Sequence, residues 1–171
     1  YDQFPVHGHA AGKGKIMGQC LDEAVLGIAF LKALRPFRDR IPAETRARWY
    51  EKLFAPMCEL LYPQTGFIHN IPTWLMCFIG MTGLFFHADE WLDKALNSEY
   101  GIHNQIEKGF TKDGMWRECS PGYHYYTLSA LTNFYSFYAE TNPADAACET
   151  LKKAFIAPLT LSCDGWTIPA L

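Results

Sequence analysis

No apolar run in this chain of 171 residues is long enough to cross a bilayer. The longest, Trp74 to Phe86, is broken by Gly80, Thr82 and Gly83 and falls short of the roughly 20 residues a spanning helix needs, so membrane insertion is excluded and a buried helix expected. Basic excess is also missing. With a formal charge of −3 the chain carries no broad positive field, which argues against nucleic acid as a partner. The six cysteines form no CxxC or other short pairing pattern, so neither a zinc site nor a disulfide framework is indicated; free thiols on apolar helical faces are expected. No metal and no cofactor is called for. Strand signals and a fixed-period repeat are absent too, which leaves an all-α chain that is not a regular solenoid.

What is present reads as one domain of helices with short links. Tyr1 to Lys15 holds three glycines, a proline and two histidines without apolar period, and is expected to be irregular. Cys20, Ala24, Gly27, Ile28 and Leu31 recur at helical spacing within Ile16 to Leu34, and Arg35-Pro36 ends that helix. Pro42 opens the next one, with a buried stripe of Trp49, Leu53, Met57 and Leu60 and a kink or break at Pro56. Pro72 marks a helix to about Phe86, apolar nearly all round and so central. Further helices are expected over 89–97, 102–110 and 123–140, and a last one from Asn142-Pro143 to about Ile156. Lengths and links of this kind favour antiparallel helical hairpins, in an irregular toroid more than a four-helix bundle.

Chemistry concentrates in two places. His69 and Asn70 stand immediately before an apolar helix, at the end where free backbone N–H groups favour anions. Two readings stand: Asn70 caps the helix and His69 is a loop residue, or Asn70 hydrogen-bonds a substrate carboxylate while His69 acts as base. The second place is the run Asp113-Gly114-Met115-Trp116-Arg117-Glu118-Cys119-Ser120-Pro121-Gly122-Tyr123-His124-Tyr125-Tyr126. A buried hydroxyl or ring nitrogen without a partner costs about 1–3 kcal/mol, so this many polar tips side by side suit a ligand wall better than a core. Tyr123 follows a Pro-Gly turn at a helix entrance, where side chains face clefts. Arg117 and Glu118 either pair with each other or orient a phenol or sugar hydroxyl. Trp74 and Trp116 either stack on sugar faces or pack inside.

The run from Asp113 to Tyr126 resembles the DG-x-W-x-E-x-S-x-x-YH-x-Y stretch of the heparinase II/III-like and alginate lyases. His69-Asn70-Ile71-Pro72-Thr73-Trp74 is similar to the segment of those lyases that carries an active-site Asn or His, and the His-Asn pair looks closest to the oligoalginate lyases. The likeness runs from about Gly18 to the end. The tail from Cys163 to Leu171 is similar to the family's PDG-x-x-P-x-x segment, with Cys where Pro is usual. The resemblance implies a partial (α/α) toroid, expected to be a fragment of a larger enzyme whose remaining toroid and β-sandwich domain lie outside residues 1–171.

It also implies an acidic polysaccharide or oligosaccharide substrate, alginate-like in the first instance and heparin- or heparan-like in the second, cleaved by β-elimination. That reaction requires the C6 carboxylate to be neutralised, the C5 proton removed and the leaving O4 protonated. By the resemblance Tyr123 is the acid, His69 the base and Asn70 the carboxylate partner. His124, Tyr126, Trp74, Glu118, Arg117 and Trp116 then bind sugar. A tyrosine alone serves epimers with H5 and O4 on one face; His69 would serve those with H5 opposite. No signal peptide is visible, and a periplasmic or secreted setting is what the family implies. Related lyases recruit a further histidine and tyrosine from beyond this segment, so independent activity of the fragment is in question. A glycoside hydrolase would need two carboxylic acids across one bond, whereas Asp113 and Glu118 are sequence neighbours. A sugar-binding scaffold would tolerate Phe at position 123.

Overall fold

The computed structural model describes residues 1–140, Asn142, Asp145 and 147–161. The tail that resembles the PDG segment, and Pro143 at the expected start of the last helix, lie outside these. Eight α-helices form among the described residues: α1 (Cys20–Leu34), α2 (Ala43–Trp49), α3 (Ala55–Leu61), α4 (Asn70–Phe86), α5 (Asp89–Asn97), α6 (Ile102–Gly109), α7 (Pro121–Tyr138) and α8 (Ala147–Ile156). No strand forms among them. Two isolated bridges, His7 with Gly14 and Phe110 with Trp116, are the nearest approach. The all-α class expected from the sequence is what the chain adopts.

α4 is the centre, as its unbroken apolarity implies. From Pro72 to Gly83 every residue is buried, and α1, α5 and α7 supply most of its neighbours. The three long helices run the same way. Lys32 near the end of α1 donates to Asn133 near the end of α7 at 2.7 Å, and Arg35 just beyond α1 pairs with Glu140 just beyond α7. At the other end the rings of Trp74 and Tyr126, each in the second turn of its helix, lie 4.9 Å apart. The N-termini of α4 and α7 therefore share one face of the molecule.

α5 returns antiparallel along α4, in the expected hairpin. A Cβ on Gly83 would come within 2.6 Å of the Leu92 backbone nitrogen, and one on Gly80 within 3.2 Å of the Ala95 Cβ. Only hydrogen side chains let the two backbones approach so closely. The left-handed His87 (φ 56°) at the C-cap turns the chain between these helices.

α4 begins at Asn70 and not at Pro72, and α7 takes in Pro121 and Gly122, expected to be a turn before Tyr123. Three further boundaries differ from expectation, each through a contact distant in sequence or a local backbone detail. α1 begins at Cys20 instead of Ile16, because the N–H groups of Lys15, Ile16 and Met17 donate to the fully buried Glu23 carboxylate and are lost to helix. Pro42 is the N-cap of α2 and not its first residue. The break expected at Pro56 is a π-helical turn over Tyr50–Phe54. Its extra residue per turn shifts the phase, so Phe54, Met57, Cys58 and Leu61 are buried where Trp49, Leu53 and Leu60 were expected to join Met57. The five cysteines among the described residues are free thiols.

Candidate functional site

Hydrogen-bond accounting at the head of α4 shows how the site is built. An α-helix leaves its first N–H groups without intrahelical partners. Here Asn70 N donates to Glu118 Oε2 at 3.0 Å, Ile71 N donates to His69 Nδ1 at 3.4 Å, Pro72 has no N–H to place, and Thr73 N reaches His69 O at 3.1 Å. His69 is thus the N-cap. Asn70, the cap in one of its two readings, turns its carboxamide onto Glu118 instead, with Nδ2 2.9 Å from both carboxylate oxygens.

Glu118 is the hub of the arrangement. Besides Asn70 it accepts from Trp116 Nε1 at 2.6 Å, and His69 Nε2 lies 3.1 Å from its Oε1. Burial pushes the Glu118 carboxyl up, but the hydrogen bonds from Trp116 and Asn70 and the nearby His69 outweigh it, and the group titrates below its ordinary value. The anion held by the positive end of α4 therefore comes from the chain itself. Its side chain remains 17% exposed and that of His69 36%, so the cluster opens to solvent.

The segment that delivers Glu118 is fixed from both ends. Gly109 accommodates the Trp116 ring, which a Cβ there would meet at 2.1 Å, and Arg117 N donates to Gly109 O. Cys119 N closes a turn onto Trp116 O, with Cys119 in the left-handed region at φ 54°, an uncommon conformation for a residue with a Cβ. The reversal carries the chain directly to Ser120, whose Oγ caps α7 by accepting from Tyr123 N at 3.5 Å. Two residues of chain span at most about 7 Å, so the α7 entrance stands beside the His69–Glu118 cluster. Tyr123 is 52% exposed and lines a cleft of about 370 Å³ with Ser120, Gly122 and Tyr126. Burial, with Asp22 nearby, pushes the Tyr126 phenol above its ordinary value.

Three residues expected to bind sugar are instead interior. His124 is fully buried: its Nδ1 accepts from Trp116 N and its Nε2 donates to Ala154 O, both at 2.9 Å. Burial outweighs the Ala154 bond and holds it below the ordinary histidine value. Trp116 is buried against Phe110, and Trp74 is 5% exposed with its ring on Tyr126. None of the three offers a face to a ligand. Arg117 is exposed, and so is Asp113.

Sequence reading missed Gln105. Fully buried, it accepts from His69 N and Thr73 Oγ1 and donates to Phe67 O and Tyr100 O, which ties α6 to the His69 loop. Only its buried register on amphipathic α6 could have flagged it. Among the described residues no group of three or more His, Cys, Asp or Glu could hold a metal ion, and no helix is long and apolar enough to cross a membrane.

The chain is similar to known proteins. The family model for alginate lyase matches residues 4–155. The chain is 31% identical over 144 residues to an alginate lyase of Stenotrophomonas maltophilia (strain K279a), covering 77% of this chain and 19% of that protein. It is 28% identical over 169 residues to an exo-oligoalginate lyase of Saccharophagus degradans (strain 2-40 / ATCC 43961 / DSM 17024), covering 91% of this chain and 23% of that one. The chain thus spans about a fifth of the length of these relatives.

Proposed function

The chain belongs to the alginate lyase family, and we propose that it forms the part of a partial (α/α) toroid that supplies His69, Asn70 and Tyr123 to a β-eliminating site for a uronate polymer or oligomer. Alginate is the first choice of substrate, in keeping with the relatives' names, and heparin-like chains the second. A periplasmic or secreted setting follows from the same reading.

The observation that supports it most is the common face of α4 and α7. The half-exposed Tyr123 phenol in the first turn of α7 and the solvent-open His69 imidazole at the N-cap of α4 belong to that face. Tyr123 protonates the leaving O4 and, where H5 lies on the same face, also takes that proton. His69 takes H5 from the opposite face. Asn70, buried with Nδ2 on both Glu118 oxygens, takes part by holding that carboxylate beside His69 and not as a free donor to the C6 carboxylate. A cleft wall of Tyr126 and Ser120 positions the ring, and the exposed Arg117 offers a charge to a neighbouring uronate.

The test uses the full-length protein that contains residues 1–171. It is incubated with alginate, polymannuronate, polyguluronate and heparan sulfate, and the unsaturated uronate product is followed by ultraviolet absorbance. Product from one polymer, lost in folded Tyr123→Phe, is the expected result. Saccharide binding without product from any polymer would replace the reading with that of a sugar-binding toroid.

A further inference from the structure

A neutral imidazole carries one proton, and which nitrogen holds it is set by what the other faces. His69 Nε2 faces the Glu118 carboxylate at 3.1 Å, which can only accept, while Nδ1 faces the N–H of Ile71 at 3.4 Å, which can only donate. Both contacts select the same tautomer. We propose that Glu118 is a positioning residue of the site, whose carboxylate holds Nε2–H of His69 and so presents Nδ1 as the proton-accepting atom. This rests on the reading of His69 as a base.

The carboxylate is well placed for that task. Asn70 N, Asn70 Nδ2 and Trp116 Nε1 fix it from three directions, so it is held still independently of His69. Its Oε1 faces Nε2 of His69; the imidazole also has the Phe67 ring 5.4 Å away, and its backbone N–H meets the Gln105 amide. When Nδ1 takes a proton, the resulting imidazolium has a carboxylate partner already in contact through Nε2–H. The long bond from Ile71 N is the one an incoming C5–H must displace, and its length leaves the Nδ1 lone pair weakly held. Glu118 therefore acts through His69 and Asn70, with its own oxygens turned to the protein and not to a sugar.

Glu118→Gln separates this role from the alternatives. Its carbonyl would face the Asn70 and Trp116 donors, leaving the amide N–H₂ toward His69 Nε2 and reversing the tautomer. The full-length protein is labelled with ¹⁵N-histidine, and His69 is assigned by the signal lost in His69→Gln. The expected wild-type spectrum has Nε2 protonated and Nδ1 bare; in Glu118→Gln the two exchange. In turnover, kcat is expected to fall roughly 10²–10⁴-fold, as when a catalytic histidine is held in the wrong tautomer. KM is expected to change little.

A wild-type His69 protonated on Nδ1 would overturn the proposal, and that measurement stands even if Glu118→Gln fails to fold. So would a variant with raised KM but unchanged kcat, which would make Glu118 a substrate contact. Absence of turnover in the wild type on every uronate would refute the lyase reading; the tautomer measurements would still decide whether Glu118 orients His69.

Discussion

Glu23 and Glu118 are both carboxylates drawn off the surface, and they are used in opposite ways. Glu23 is fully buried and accepts from the Tyr1 hydroxyl at 2.7 Å and from three successive backbone N–H groups, so it ties the leading segment to α1 and has nothing left for a ligand. Glu118 accepts mostly from side chains, among them a histidine that is itself open to solvent. A carboxylate saturated by backbone donors stabilises a chain path; one surrounded by functional side chains orients them. The same contrast separates His124, fully buried, from His69, which is open to solvent.

The sharpest way to test the contrast is on the open side. Tyr123→Phe is expected to lower turnover roughly 10²–10⁴-fold, the usual contribution of a general acid or base, with a melting temperature near wild type because the phenol is half exposed. A parallel loss of thermal stability would show Tyr123 to be structural.

On the closed side, His124→Ala orphans Trp116 N and Ala154 O and leaves a cavity, which together are expected to cost about 3 kcal/mol, read by denaturant unfolding. The pH sign follows from its depressed folded-state value. The unfolded chain takes up a proton that the folded one resists, so the stabilisation is complete above about pH 6.5 and is lost as pH falls through the folded value. His124→Ala should therefore flatten the acid slope of stability.

Glu23→Gln comes next, with an expected loss of about 1–3 kcal/mol for groups left unsatisfied and no change in kcat. The smallest effect is that of Arg117→Ala. Stability should stay within about 0.5 kcal/mol, while KM rises a few-fold through loss of an exposed charge near the cleft; an unchanged KM would remove Arg117 from the substrate path.

These positions also mark what the sequence made legible. α4 and α5 could be read because Pro72, the apolar run and Asp89 punctuate them locally. The polar run before α7 could be read as a site because its phenols and charges outnumber what a core can satisfy. His124 could not be told from His69: its burial comes from Ala154, 30 residues later, and from Trp116 folding over Gly109. Glu118 was legible as a polar residue of the run but not as the hub, since its partners Asn70 and His69 sit in another segment. The late start of α1 was hidden in the same way, because Glu23 on the helix draws in the residues that precede it. The π-turn before Pro56 left only the proline as a sign, and a proline announces a break without giving its phase.

The most direct single measurement is kcat and melting temperature together for Glu118→Gln and Glu23→Gln in the full-length protein. The account predicts that Glu118→Gln loses turnover at least 10²-fold while remaining folded at the assay temperature, and that Glu23→Gln melts earlier with kcat intact. Turnover that falls only in step with stability in both variants would contradict it.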